Sequence, residues 1–147
     1  MNSVDTNVLI YAVNSGCAEH EKARAVYEMM LANPRDWILS DQVLFEFYRG
    51  LRHPKILERP LSHQMALDQI LFLREQSGVL HCSYETALWN LVTRKASNPA
   101  NLKPKAIHIF DRVLAVTLLH NGVKNLYTRN EKDFEEFAFE KLINPID

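Results

Sequence analysis

The chain contains little glycine and little cysteine: four of its 147 residues are Gly and two are Cys. No glycine stands in a GxxxxGK or GxGxxG pattern, so the sequence lacks the usual glycine-rich loop that cradles a nucleotide phosphate. No GxSxG turn of a serine hydrolase occurs either. Cys17 and Cys82 have no CxxC or zinc-type spacing, which argues against a zinc site and favours two free thiols.

The sequence also lacks an excess of either charge and any long hydrophobic run. Its 17 Lys and Arg against 18 Asp and Glu give a net charge of −1, so any nucleic-acid binding must depend on local positive charge. No apolar run approaches the ~18 residues of a membrane span, and the start of the chain has no signal-peptide pattern. We therefore expect a cytoplasmic protein.

The 147 residues have the length and composition of one folded domain, so we predict a single domain over 1–147. Short apolar segments alternate with amphipathic ones, which predicts an α/β sandwich around a mostly parallel sheet of roughly five strands. The first predicted strand ends at Val4, and the others cover 37–39, 79–82, 125–128 and 142–143. The predicted helices cover 7–13, 19–31, 41–51, 63–76, 84–95, 111–120 and 132–137, with a loop over 97–105.

Three acidic residues stand among apolar neighbours. Asp5 follows the first strand, Glu46 lies beside Phe45 within a helix, and Asp111 follows Phe110 at a helix start. A carboxylate buried among such neighbours is costly unless it is compensated. Strand ends and helix starts share one edge of a parallel sheet, so the three acids can converge there.

At close range these carboxylates would raise one another's pKa values, and a divalent cation would remove the repulsion. Oxygen ligands of this kind suit Mg²⁺ or Mn²⁺. Taken singly, an acid also fits a helix cap or a salt bridge, and Asp111 fits a helix start equally well. Glu46 fits this alternative poorly, because it lies mid-helix between Phe45 and Phe47.

The blocks around these acids resemble PIN-domain ribonucleases, and among them the VapC-type toxins of bacterial toxin–antitoxin pairs. The resemblance covers essentially the whole chain, and its blocks occur in the family's order and spacing. The blocks are residues 5–10, 42–49, 110–115, 126–130 and 133–134.

The resemblance implies a PIN-like α/β/α sandwich and a metal-dependent endoribonuclease that hydrolyses RNA phosphodiester bonds. Asp5, Glu46 and Asp111 would be catalytic acids holding one or two Mg²⁺ or Mn²⁺ ions. The supporting residues implied are Thr6 and Thr128, through their hydroxyls, and Asn7, which would hold an acid or a metal-bound water. The partners implied are RNA, a VapB-like antitoxin and a second copy of the chain in a homodimer.

The sequence departs from the family pattern at one position. The family often has a fourth acid where this chain has Asn130, which would join the catalytic set as a neutral ligand. Asp133 lies three residues on and either substitutes for that acid or caps a following helix. This departure puts a two-metal mechanism in doubt. It also supports the alternative of a non-catalytic PIN-like binding module with a degraded metal site.

Basic residues lie close in sequence to the proposed site. They are Arg49, Arg52, His53, Lys55, Lys103, Lys105, His108, Arg112 and Arg129. We expect Arg49, Lys105, Arg112 and Arg129 to bind RNA phosphates. The alternative is a solvated face with ordinary ion pairs.

Several apolar side chains fit more than one role. The predicted fourth helix carries apolar residues that suit an antitoxin groove, a homodimer contact or the core: Leu67, Ile70, Leu71 and Leu73. Trp37, Tyr48 and Trp89 are able to stack on bases, but we expect them to pack in the core.

Overall fold

The computed structural model describes residues 1–85, 89 and 109–147. Strands β1 to β5 in this part of the chain are Asn2–Val4, Ile38–Ser40, Leu80–Cys82, Asn125–Tyr127 and Lys141–Ile143. Helices α1 to α5 are Thr6–Val13, His20–Ala32, Asp41–Leu51, His63–Leu71 and Ile109–His120. Short 3₁₀ turns cover Pro34–Asp36 and Glu131–Asp133, and a π-helical turn, Phe72–Gln76, extends α4.

All the strand pairs are parallel. β1 pairs with β4 and β4 with β5, while β2 pairs with β3. An isolated bridge between Asn2 and Trp37 joins the two groups, which gives the spatial order β3-β2-β1-β4-β5. The Ser3 hydroxyl crosses the same seam and donates to the Ile38 carbonyl at 2.6 Å. The predicted α/β fold around a parallel sheet is confirmed.

Helix starts follow strand ends directly, because a capping side chain stands at each junction. Asp5 caps α1 immediately after β1, and its side chain accepts from the Thr6 amide. Ser40 ends β2 and caps α3, its hydroxyl accepting from the Gln42 amide at 3.2 Å. Each cap satisfies an amide that the first helical turn leaves without a partner. Both junctions lie at the carboxyl edge of the parallel sheet, where the acids were expected.

The core lies between the sheet and the apolar faces of the helices. Its largest fully buried side chains include Trp37, Phe47 and Phe134. Ile70 and Leu73 are buried as well, so the core accounts for them. The other two apolar residues predicted for the fourth helix are partly at the surface: Leu67 is half-buried and Leu71 is 37% exposed.

Several predictions about apolar residues are wrong. Trp37 is buried as expected and Tyr48 is half-buried, but Trp89 is 60% exposed. Phe45 and Phe110 are 73% and 65% exposed, so these neighbours of Glu46 and Asp111 do not belong to the core. On a helix, the side chains before and after a given residue point about 100° away from it, so neither neighbour of Glu46 faces the site; Phe45 points into solvent and Phe47 into the core.

Other predictions have mixed outcomes. Both cysteines are free as expected, Cys17 half-buried and Cys82 buried. The helix predicted over 132–137 is wrong, because the chain forms only the Glu131–Asp133 turn there. Most of the helix predicted over 84–95 and the whole loop predicted over 97–105 lie outside the described residues. None of the described helices is long and apolar enough to cross a membrane.

Substitution of Ser3 tests how much its hydrogen bond stabilises the contact between β1 and β2. Ser3→Ala removes the donor to the buried Ile38 carbonyl, and we expect it to lower the free energy of unfolding by about 1 kcal/mol. Urea denaturation would measure the loss beside Ser15→Ala, the same change at an exposed loop position. Equal stability of the two variants would show that this hydrogen bond does not hold the seam.

Candidate active site

Three donors hold the Asp5 carboxylate in one orientation. Its Oδ1 accepts from the Thr6 amide at 2.7 Å. Its Oδ2 accepts from the Thr128 hydroxyl at 2.9 Å and from the Asn7 side-chain amide at 3.1 Å. Burial nevertheless raises the pKa of Asp5 to about 6; the bonds from Thr128 and Thr6 oppose this rise, and the charges of Asp111 and Glu46 add to it.

Thr128 organises the loop that follows β4. Its buried hydroxyl accepts from the Asn130 backbone amide at 3.0 Å while it donates to Asp5. The Asn7 side chain bonds to the same loop, because its Oδ1 accepts from the Arg129 amide at 3.3 Å. The structure therefore brings the predicted supporting residues Asn7 and Thr128 into contact with Asp5.

Glu46 is half-buried in the middle of α3, and both of its oxygens accept a hydrogen bond. The Thr6 hydroxyl donates to Oε2 at 2.7 Å, and the Gln42 side-chain amide donates to Oε1 at 3.2 Å. Thr6 thus connects α1 to Glu46, as a supporting residue would. Sequence reasoning missed Gln42; the available signal was its position four residues before Glu46, on the same helix face.

A cavity of about 580 Å³ brings the three acids together. Asp5, Glu46 and Asp111 line it from three separate segments, and Asn130 lines it from the loop after β4. Its other lining residues are Thr6, Asn7, Ile10, Tyr11, Asn14, Cys17, Arg49, Gly50, Lys55 and Ile56.

Asp133 does not line this cavity. It is the half-buried last residue of the Glu131–Asp133 turn, and no helix follows it in the described residues 134–147. The predicted role of Asp133 as a helix cap is therefore wrong. Of the two residues considered for the fourth position, the structure brings Asn130 to the acids.

The predicted basic residues occupy different settings. Arg49 is exposed and lines the cavity together with Lys55, whereas Arg112 is half-buried and Lys105 lies outside the described residues. The Arg129 guanidinium donates to Glu19 at 2.5 Å and to the Tyr11 hydroxyl at 3.0 Å. The central carbon of this guanidinium, Cζ, lies 5.5 Å from the centre of the Tyr11 ring. Arg129 therefore holds the loop after β4 against α1 and the start of α2.

The donor chemistry of the cavity suits a hard divalent cation. Carboxylate oxygens are the ligands that Mg²⁺ and Mn²⁺ prefer, and the charges of Asp111 and Glu46 that raise the pKa of Asp5 would be offset by such an ion. As the side chains stand, the described residues contain no group of three His, Cys, Asp or Glu able to hold one ion. Mg²⁺ commonly binds one or two protein carboxylates and keeps several waters. Two of the three cavity carboxylates, with waters as the other ligands, would fit that pattern.

Comparison with known proteins agrees with this architecture. The family model of the PIN domain matches residues 3–140. Ribonuclease VapC24 of Mycobacterium tuberculosis is 36% identical over 148 residues, covering 99% of this chain and 97% of the relative. Ribonuclease VapC48 of the same species is 26% identical over 141 residues, covering 96% of this chain and 94% of the relative.

A solved structure shows the same fold. The crystal structure of VapBC2 from Rickettsia felis, bound to a DNA fragment from their promoter, matches with a TM-score of 0.62 at 18% identity. The match covers 97% of each chain. With the family model matching nearly the whole sequence and VapC24 related to it over 99% of its length, the chain belongs to the PIN-domain family, among the VapC-type ribonucleases.

Proposed function

We propose that this chain is a Mg²⁺- or Mn²⁺-dependent endoribonuclease and the toxin of a VapBC-type toxin–antitoxin pair. The observation that carries the proposal is the convergence of Asp5, Glu46 and Asp111 on one cavity. Arg49 and Lys55 line the same cavity, so cationic side chains stand beside the acids. This pairing suits a polyanionic substrate that must approach a carboxylate cluster.

The acids would act as ligands of the divalent ion. An ion held by these acids would supply Lewis-acid activation of a water and would offset negative charge during attack on a phosphodiester. Asp5 is oriented for this role by Thr6, Asn7 and Thr128. The Glu46 carboxylate is likewise held at both oxygens.

Asp111, from α5, and Asn130, from the loop after β4, complete the proposed catalytic set. Asp111 lies in the first turn of α5; Asn130 lines the cavity, and its side chain carries no charge. A neutral amide attracts a second cation less than a carboxylate would. We therefore propose that this site holds a single divalent ion.

RNA would be held mainly by the α3 side of the cavity. Arg49 is exposed there and Lys55 lies in the following loop, so both have access to phosphate. Arg112, on α5, stays in the proposal as a further phosphate contact, and so does Lys105, which lies outside the described residues. Arg129 is already bound by Glu19 and Tyr11, so we propose that it acts chiefly by fixing the loop of Asn130.

The proposed protein partners are a VapB-like antitoxin and a second copy of the chain. Membership among the VapC-type ribonucleases supports the antitoxin, which would block the cavity until it is removed. The alternative function is a non-catalytic binding module. Asn130 favours it, and the presence of all three acids in one cavity argues against it.

Removal of the acids tests the catalytic proposal. Antitoxin-free protein with Mn²⁺ or Mg²⁺ should cut RNA into defined fragments, and EDTA should stop the reaction. Asp5→Asn and Asp111→Asn should each lower the rate at least about 100-fold, since even the outer partners of metal ligands commonly contribute about 10–100-fold. Asp133→Asn is the matched control outside the cavity and should cut RNA at the wild-type rate. Folded wild-type protein that cuts no RNA would instead favour the binding module.

The raised pKa of Asp5 predicts a pH dependence of cation binding. Protons and cations compete for this carboxylate, so Mn²⁺ affinity should rise by roughly tenfold per pH unit up to about pH 6 and then level off. The cation-free protein should show the opposite trend in stability, because a raised carboxyl pKa favours folding at low pH and that gain is lost as the pH rises through about 6.

Calorimetric titration with Mn²⁺ at several pH values between about 5 and 7.5 would check this dependence. Asp5→Asn, which cannot titrate, is the control for the stability trend. The same Mn²⁺ affinity at about pH 5 and about pH 6 would contradict a role for Asp5 as the titrating ligand.

Charge reversal tests the proposed RNA-binding side. Arg49→Glu should lower kcat/KM for RNA about tenfold, mainly through KM, and the loss should shrink at high salt. Arg35→Glu makes the same change in the exposed turn after α2 and should leave cleavage intact. Cleavage by Arg49→Glu at the wild-type rate would remove Arg49 from the RNA-binding side.

A further inference from the structure

Gln42 connects two of the three segments that carry the acids. Its side-chain nitrogen Nε2 donates to Glu46 Oε1 at 3.2 Å, one turn further along α3. The same nitrogen donates at 2.9 Å to the backbone carbonyl of Phe110, which is 68 residues away and directly precedes Asp111. One amide group thus bonds to the Glu46 carboxylate and to the first turn of α5.

The chemistry of the two partners fixes the orientation of this amide. A carboxylate oxygen and a backbone carbonyl only accept hydrogen bonds, so the NH₂ group of Gln42 must face both. Thr6 donates to the other Glu46 oxygen at 2.7 Å, from the first residue of α1. Glu46 is therefore held between a donor from α1 and a donor that is itself attached to α5.

We infer that Gln42 is a positioning residue, which sets the orientation of the Glu46 carboxylate relative to the Asp111 segment. The inference rests on the proposed function, because the geometry it fixes is that of two proposed metal ligands. Without the amide, Glu46 Oε1 loses its donor and is free to rotate about the Thr6 bond. The Phe110 carbonyl loses its link to α3 at the same time, so the start of α5 is less restrained.

Few other side chains can occupy this position with the same effect. Asn is one methylene shorter, and Met has a similar length without a donor. Glu would place an oxygen against two acceptors and repel Glu46. Gln42 is half-buried in the first turn of α3, where Met is a good helix former, so Gln42→Met removes the two bonds with little other change.

The chain offers a matched control for this substitution. Gln64 donates to the Asp68 carboxylate at 2.8 Å, again four residues along a helix, but it is exposed on α4 and does not line the cavity. Gln64→Met therefore removes the same kind of bond away from the site. Both variants should keep the thermal unfolding midpoint close to that of the wild type.

Three measurements on the purified full-length chain test the inference. Mn²⁺ affinity by calorimetry should fall roughly tenfold in Gln42→Met and stay unchanged in Gln64→Met. RNA cleavage by Gln42→Met should need about tenfold more Mn²⁺ for half-maximal rate and recover much of the wild-type kcat at saturation. Amide hydrogen exchange over Ile109–His120 should be faster in Gln42→Met, whether or not Mn²⁺ is present.

The outcomes separate this inference from the proposed function. If wild-type protein binds Mn²⁺ and cuts RNA while Gln42→Met does both equally well, Gln42 has no positioning role. Faster exchange in α5 without any change in Mn²⁺ affinity would make Gln42 only a structural link and would also overturn the inference. A wild-type protein that neither binds Mn²⁺ nor cuts RNA would overturn the proposed function, and the inference with it.

Discussion

The hydrogen bonding of the Asp5 carboxylate is the constraint around which the site is arranged. Asp5 stands where β1 becomes α1, so its side chain caps the helix while its backbone amide donates to the Tyr127 carbonyl at 2.9 Å. That bond continues the pairing of β1 with β4 by one residue and brings Thr128 beside the Asp5 carboxylate. Burial there raises the pKa of Asp5 to about 6, because it disfavours the charged carboxylate. The hydrogen bonds from Thr128 and Thr6 reduce this rise in part.

The order of the strands explains why distant acids meet at this point. β1 lies in the middle of the sheet, with β2 on one side and β4 on the other. The helix that follows β2 carries Glu46, and the loop that follows β4 carries Thr128 and Asn130. Parallel strands direct all these connections to one edge, so the convergence follows from topology more than from any single contact.

The sequence was sufficient to predict the strands and most of the described helices, because these depend on local periodicity and capping residues. Ser40, for example, stands directly before the helix predicted over 41–51, and it caps α3. The predicted meeting of the three acids at one edge depended instead on the parallel order of the strands. What could not be predicted depends on contacts between distant segments. The exposure of Phe45 and the bond from Gln42 to the Phe110 carbonyl are of this kind, since each is decided by how α3 lies against the rest of the molecule.

The distribution of charge around the cavity gives the proposed substrate a direction of approach. Arg129 was expected to contact RNA, yet its guanidinium donates to the Tyr11 hydroxyl and forms an ion pair with Glu19. Arg49 is exposed as well, one turn beyond Glu46 on α3, but it forms no ion pair with a described acid. A phosphate backbone would therefore meet the positive charge of Arg49 on the α3 side of the cavity. The helix that presents the Glu46 carboxylate would then also guide the substrate to that carboxylate.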